Sequence, residues 1–161
     1  MRYAGFTAML AAGVLALAPA AHAQESGCPL LQKIVSGAAA GFPDLRGDEM
    51  SAGWFDSKLY MTGADDCSVN AGEHNLFYCA WGFDARADAE SLTTALSDAA
   101  TQCLAGWARE DTAGQKSSNN LVITKGLTLS GVGTHTGTRV LVFAETFEDS
   151  PQSQVTIEVR R

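Results

Sequence analysis

Apolar residues recur at helical spacing in two segments of the chain. The first segment, residues 28–41, opens with a proline in its first turn and closes on a glycine, which suits the two ends of a helix. The second segment begins at a capping Asp84 or Asp88 and runs to about Arg109. Their apolar faces comprise Leu30, Leu31, Ile34, Val35 and Ala38 in the first, and Leu92, Leu96, Ala99, Ala100, Cys103, Leu104 and Trp107 in the second. This periodicity predicts two amphipathic helices.

Elsewhere the chain reads as strands, several of which alternate apolar with polar residues. The clearest example is the segment 154–160, in which Val155, Ile157 and Val159 are separated by polar residues. The predicted strands are residues 53–61, 67–69, 76–83, 120–129, 138–147 and 154–160. They predict an α+β fold in which an antiparallel sheet of about five to six strands is covered on one face by two helices, in the order α-βββ-α-βββ. The polar stretch around Pro43 and Gly47 is predicted to be a connector.

The segment between Cys67 and Cys79 predicts a β-hairpin closed by a disulfide bond. If the hairpin is centred on Glu73, Cys67 lies opposite Cys79 and Val69 lies opposite Phe77. Directly opposed residues of antiparallel strands are close enough for such a bond. In the chain-entropy model, closing this loop stabilises the fold by about 3 kcal/mol.

Cys28 and Cys103 form the second predicted disulfide, between the start of the first helix and the end of the second. Four cysteines allow three pairings, and the spacing of the hairpin pair selects this one. An antiparallel helix pair accommodates the bond, which contributes about 4.5 kcal/mol in the same model. No two cysteines are closer than 12 positions, so the Cys-x-x-Cys motif of thiol–disulfide oxidoreductases is absent. Both disulfides are therefore predicted to be structural.

The first 23 residues have the features of a bacterial secretory signal peptide. A single charged residue, Arg2, precedes an Ala- and Leu-rich apolar run, and the A-x-A cleavage site ends at Ala23. The lipoprotein alternative requires an apolar residue three positions before Cys28, where the chain has Glu25. Cleavage after Ala23 predicts a periplasmic or secreted protein, in which residues 24–161 form a single α+β domain.

The mature chain is acidic, with 18 acidic residues against 10 basic ones once the signal peptide is removed. This balance disfavours non-specific attraction to nucleic acids and to anionic membrane surfaces. After the signal peptide, no segment approaches the 18 consecutive apolar residues of a membrane-spanning helix. We therefore predict no nucleic-acid partner and no stable membrane insertion.

The sequence contains no recognisable catalytic set, and we predict no catalytic residue, metal or cofactor. Asp65, Asp66, Glu73 and His74 crowd the predicted hairpin tip, but they lack the ligand spacing of zinc sites. A hydrolase set such as Ser130 with His135 and Asp65 would require placements that the sequence does not predict.

The segment 130–139 is the most distinctive loop and is the predicted binding loop. Gly131, Gly133 and Gly137 allow close approach of a ligand to the backbone, and His135 lies among hydroxyl side chains. The glycine spacing is not that of a dinucleotide-binding motif, since a strand and not a helix follows. Among the tryptophans, Trp81 and Trp107 lie on predicted core faces, which leaves Trp54 as the candidate for exposure.

These features favour a non-enzymatic binding module that acts on another envelope or secreted protein, as an inhibitor or immunity protein does. A rigid, disulfide-bonded scaffold suits such a role. One alternative is a periplasmic carrier that holds a small molecule or lipid between sheet and helices. Another is an enzyme with an unfamiliar site near His74 or His135.

Overall fold

The computed structural model describes residues 23–25, 27–72, 74–117, 119–147 and 152–161. Two α-helices and ten strands make up the fold, which confirms the predicted α+β class. The helices are α1 (Cys28–Gly37) and α2 (Arg86–Cys103). The strands are β1 (Ala23–Glu25), β2 (Arg46–Ser51), β3 (Trp54–Ser57), β4 (Leu59–Met61), β5 (Asp66–Asn70), β6 (Leu76–Phe83), β7 (Ala108–Asp111), β8 (Ile123–Ser130), β9 (Arg139–Thr146) and β10 (Ser153–Arg160).

Eight of the strands form one antiparallel sheet in the order β2-β3-β5-β6-β10-β9-β8-β7. Strand β10 therefore lies at the centre and joins the strands that precede α2 to those that follow it. Strands β1 and β4 form a separate two-stranded parallel sheet. The expectation of five to six strands in the order α-βββ-α-βββ was wrong. Strand β1 and the two edge strands of the large sheet were not predicted, and the predicted strand 53–61 is divided in two.

The two missed edge strands have polar sequences. Strand β2 reads RGDEMS and falls in the predicted connector, while β7 reads ARED and falls at the predicted end of the second helix. Neither alternates as a half-buried strand does, because edge strands commonly carry charges and bulges that deter further pairing. The pairing of β2 with β3 shifts register twice.

The predicted strand 53–61 is interrupted at Lys58, directly after the buried Ser57. The Ser57 hydroxyl donates a hydrogen bond to the Leu59 carbonyl at 2.7 Å and accepts one from the Leu59 N–H at 3.1 Å. This local turn occupies backbone groups that would otherwise pair with a neighbouring strand. The segment therefore forms two strands, β3 and β4.

One face of the large sheet packs against the helices, and we call it the covered face. Its side chains are apolar and almost completely buried, because successive residues of a strand point to opposite faces. They comprise Cys67, Val69, Phe77, Cys79, Trp81, Leu127, Leu129, Val140, Val142, Ala144, Val155, Ile157 and Val159. Burial of each larger side chain contributes about 1.5–3 kcal/mol. The predicted position of Trp81 on a core face is confirmed.

Helix α2 ends at Cys103, six residues before the predicted Arg109. Gly106 has a φ of 90°, a left-handed conformation that glycine adopts readily, and β7 follows. The most deeply buried positions of α2 are small residues, Ala89, Thr93, Ser97 and Ala100. The predicted apolar face is thus partly wrong: Leu92, Leu96 and Cys103 only border the core and Ala99 is exposed. Small side chains let the helix approach the sheet closely.

Both predicted disulfides are present. Cys28 is bonded to Cys103 and links α1 to the end of α2, with 5.1 Å between the two Cα atoms. Cys67 is bonded to Cys79 across β5 and β6, where the two residues are direct cross-strand partners. All four cysteines are thereby paired.

The disulfides are compatible with an extracytoplasmic protein. Residues 1–22, which hold most of the predicted signal peptide, lie outside the described residues. Within the described part of the chain, no helix has the length and apolar character needed to cross a membrane.

Candidate functional site

The face of the sheet that points away from the helices, which we call the open face, combines polar and aromatic side chains. A single cross-strand row runs over seven strands and consists of Asp56, Ser68, Tyr78, Glu158, Leu141, Thr128 and Glu110. Neighbouring side chains in such a row are close enough to interact. The row brings residues from both halves of the sequence onto one surface.

Several polar side chains of the open face are buried, which is unusual for a face without a helix packed on it. Thr156 and Glu158 each retain 5% of their accessible surface, and Glu145 retains none. The other deeply buried polar residues here are Ser68, Asn70, Thr112 and Thr128. Burial of polar groups is costly unless they are hydrogen-bonded, and among the described residues only Glu145 Oε2 is buried without a partner.

Two cavities lie side by side on the open face. The first, of about 200 Å³, is lined by Trp54, Leu76, Tyr78, Asn119, Phe143, Gln154, Thr156 and Glu158. The second, of about 250 Å³, is lined by Glu110, Thr112, Gln115, Lys116, Ser117, Ile123, Thr128, Ser130, Arg139, Leu141, Phe143, Glu158 and Arg160. Phe143 and Glu158 line both. The two cavities therefore form a continuous surface, aromatic at one end and charged at the other.

The aromatic end is held by hydrogen bonds to carboxylates. Tyr78 donates its phenol proton to Asp66, and its ring meets Trp54 edge-on with 5.9 Å between centroids. Burial and, after it, the hydrogen bond to Asp66 together raise the pKa of the Tyr78 phenol to about 12. Burial and the hydrogen bond to Asp56 likewise raise the pKa of Tyr60. Both phenols therefore stay protonated and act as donors at neutral pH.

Glu145 is a buried carboxylate beside this surface. Its Oε1 accepts a hydrogen bond from the Asn119 side-chain amide at 3.0 Å. Its Oε2 is buried and has no hydrogen-bond partner among the described residues. Asn119 also lines the first cavity, so the segment that carries it connects Glu145 to the candidate site.

The charged end contains two arginines in direct opposition. Arg139 of β9 and Arg160 of β10 are cross-strand partners, an arrangement in which like charges repel. One Arg160 nitrogen, Nη1, lies 3.8 Å from Glu158 Oε2. Arg139 is exposed and makes no ion pair within the described part of the chain.

The predicted binding loop is a compact turn between β8 and β9. A Cβ atom on Gly131 would lie 2.2 Å from the carbonyl oxygen of His135, so this position requires glycine. The loop is closed by a hydrogen bond from the Gly131 N–H to the Thr138 carbonyl at 2.8 Å. Gly133 and Gly137 have φ values of 60° and 90°, which also favour glycine.

His135 packs against Trp107, with 5.7 Å between ring centroids. These two rings line a groove of about 320 Å³ beside the helices and not the open-face cavities. The flanking residues Ser130 and Arg139, however, line the second cavity. The binding role predicted for the loop thus stays a prediction, and its two ends adjoin the candidate site.

The remaining sequence candidates for a metal or catalytic site belong to the segment 65–74, in and around the hairpin of β5 and β6. His74 is exposed at the hairpin tip, Glu73 lies outside the described residues, and Asp65 accepts a hydrogen bond from the Gly82 N–H at 2.7 Å. The described residues contain no group of three or more His, Cys, Asp or Glu side chains arranged to hold a metal ion. Trp54 is half-buried in the first cavity, as its candidacy for exposure suggested.

Arg139 ends the segment 130–139 of the predicted binding loop, but sequence reasoning missed Tyr78, Glu145, Phe143, Glu158 and Arg160 as site residues. Each occupies a polar or mixed position of an alternating strand, where the pattern indicates only a solvated face. A signal existed in the frequency of aromatic and charged residues on the outward positions of β6, β9 and β10.

Comparisons of the chain with protein-family models, with curated proteins and with solved structures find no match.

Proposed function

We propose that this protein is a non-enzymatic binding module that holds an extended segment of another envelope or secreted protein across its open face. The observation that supports this function is the pair of adjoining cavities that share Phe143 and Glu158. Aromatic rings and buried polar groups within one concave surface are typical of ligand-binding sites.

The size of the cavities favours a long, narrow ligand. Each is smaller than the roughly 300–1,000 Å³ of a pocket that encloses a drug-sized molecule. A ligand that occupies both must run across several strands. An extended peptide fits this description, because its side chains can enter successive depressions while its backbone stays outside.

The chemistry of the described face favours binding over catalysis. Its hydroxyl and carboxyl groups bond to one another: Tyr78 donates to Asp66, and Tyr60 donates to Asp56. The described lining of the two cavities contains no histidine, and all four cysteines are in disulfides. Such a site offers fixed donors and acceptors, as an inhibitor or immunity protein requires, because a preorganised surface loses little entropy on binding.

A pair of variants tests the open face. Trp54→Ala removes an aromatic ring from the first cavity, and Gln154→Arg introduces a bulky charge there. With oxidised protein as bait in envelope extract, we expect both variants to lose a partner that the parent retains. With that partner purified, isothermal titration calorimetry should show affinity at least about tenfold weaker, as for a central aromatic contact.

The matched control is Met50→Ala, which truncates an exposed apolar residue of β2 that lines neither cavity. It should bind as the parent does, and circular dichroism should show that all three variants are folded. A partner that binds Trp54→Ala and Gln154→Arg with unchanged affinity would exclude the open face. If His135→Ala then weakened binding, the loop between β8 and β9 would be the contact surface.

A further inference from the structure

We propose that the bound segment carries an aspartate or glutamate whose carboxylate is held by Arg139 and Arg160 at the charged end of the open face. This inference rests on the proposed function and specifies the chemistry of the partner. The partner is thus an acidic peptide segment with an apolar or aromatic residue nearby.

The first support is the unbalanced arginine pair. Arg139 and Arg160 are direct cross-strand partners, and the repulsion between such like charges disfavours the sheet unless an anion lies between them. Glu158 Oε2 lies 3.8 Å from Nη1 of Arg160. Arg139 has no ion-pair partner among the described residues, so its guanidinium group can bind a carboxylate through two parallel hydrogen bonds.

The second support is the local charge. The described lining of the second cavity contains three basic residues, Lys116, Arg139 and Arg160, and two acidic residues, Glu110 and Glu158. Its net charge of +1 contrasts with the net charge of −7 for the whole chain. A carboxylate, which carries one negative charge, neutralises this excess, whereas a doubly charged phosphate would overcompensate it. The balance therefore favours an acidic side chain over a phosphorylated one.

The sheet also sets the distance between the two residues that would contact the peptide, Trp54 at the aromatic end and Arg160 at the charged end. Trp54 lies in the same cross-strand row as Arg160, three strands away through Leu76 and Asn70. At about 4.8 Å per strand, the two positions are roughly 14 Å apart. An extended peptide advances about 3.3 Å per residue, so its acidic residue and its apolar anchor should be about four residues apart.

The experiment uses displayed random peptides, about twelve residues long, which are selected on the oxidised mature protein. We expect enrichment of sequences with Asp or Glu about four residues from an aromatic or aliphatic residue. One selected peptide and its twin, in which Gln replaces that acidic residue, are then titrated by fluorescence anisotropy. The acidic peptide should bind about tenfold tighter, as expected for a charge-assisted bidentate contact.

The protein variants form a double-mutant cycle with the twin peptides. Arg139→Gln should weaken the binding of the acidic peptide about tenfold, so that the acidic peptide and its Gln twin bind with the same affinity. Arg139→Lys should restore only part of the difference, because lysine lacks the planar fork. The control Arg109→Gln removes an exposed positive charge from β7, where its cross-strand partner Leu129 belongs to the covered face, and should leave the difference intact.

Three results would overturn the carboxylate site, and they differ in what they leave standing. The carboxylate site would be excluded if the selected peptides showed no enrichment of Asp or Glu, or if Arg139→Gln weakened the binding of both twin peptides equally. If Trp54→Ala nevertheless abolished binding, the open face would remain the binding surface. Peptides that bind Trp54→Ala and Arg139→Gln as tightly as the parent would overturn both the carboxylate site and the proposed function.

Discussion

The two faces of the sheet are built from the same strands, yet they differ in what they bury. The covered face buries apolar side chains such as Phe77 and Ile157, whereas the open face buries Glu145, Thr156 and Glu158. Apolar burial is favourable by itself, but polar burial requires a partner for every donor and acceptor. The covered face therefore contributes most of the stability, whereas the open face holds the one buried side-chain polar atom that lacks a hydrogen-bond partner among the described residues, Glu145 Oε2.

The same strands thus meet two requirements through the alternation of their side chains. Cys79 and Tyr78 are adjacent in β6, but the first forms a buried disulfide while the second donates to Asp66 on the open face. A substitution on one face should leave the other nearly unaffected, since the two sets of side chains point to opposite sides of the sheet. Three predictions test this separation.

The largest difference in the free energy of unfolding is expected between the Phe77→Ala and Trp54→Ala variants. Phe77 is completely buried on the covered face and packs near Phe42, with 6.2 Å between ring centroids. Its truncation should lower the free energy of unfolding by about 4 kcal/mol, through lost burial and the cavity left behind. Trp54 is only half-buried, so its truncation should cost less than about 1.5 kcal/mol.

Chemical denaturation followed by fluorescence measures both values in oxidised protein. Equal losses of stability in the two variants would contradict the assignment of stability to the covered face.

A smaller effect, of opposite sign, is expected at Glu145. The substitution Glu145→Gln removes a charge from a completely buried side chain whose Oε2 has no described partner. At neutral pH the free energy of unfolding should rise by about 1 kcal/mol, because a neutral amide is less costly to bury than a carboxylate.

Glu110→Gln is the matched control, because Glu110 is exposed on the same face. It should change the stability by less than about 0.5 kcal/mol. A clear loss of stability in Glu145→Gln would instead indicate that the Glu145 carboxylate is satisfied by a bound cation or a hydrogen-bond donor.

The smallest effect should appear only in alkaline solution, at Tyr78. Its pKa is raised from 10.0 to about 12, first by burial and then by the hydrogen bond to Asp66. Because the folded state favours the protonated phenol, this contribution to stability is complete below pH 10 and is lost as the pH rises from 10 towards 12. Ultraviolet titration of tyrosine ionisation should show one tyrosine that ionises at a higher pH than an ordinary tyrosine. The Tyr78→Phe variant should lack this transition.

The thermal unfolding temperature of Tyr78→Phe should also fall less steeply than that of the parent over this interval. A normal tyrosine titration in the parent protein would contradict the burial and hydrogen bonding described for Tyr78.

The covered face was largely predictable from the sequence, whereas the open face was not. Alternation in residues 154–160 and the spacing of Cys67 and Cys79 are local signals, and both led to correct structures. The edge strands β2 and β7 were missed because charged edges look like loops.

The candidate site was missed for a different reason. Its residues meet only through the pairing of β6 with β10, which are far apart in the sequence. A single sequence records no preference for that pairing over others. Alternation identifies Glu158 as facing away from the helices, but it does not reveal that Phe143 and Arg160 surround it.

The central position of β10 has a consequence for the order of folding. Among the described strands it comes last in the chain, yet it separates β6 from β9 and completes the only hydrogen-bonded connection between the two halves of the large sheet. Until β10 is in place, each half presents an unpaired edge, and the contacts that join them span a long stretch of sequence. Folding through such non-local contacts is slow. A chain predicted to be exported therefore has time to remain unfolded and thread through a translocation channel before its fold closes.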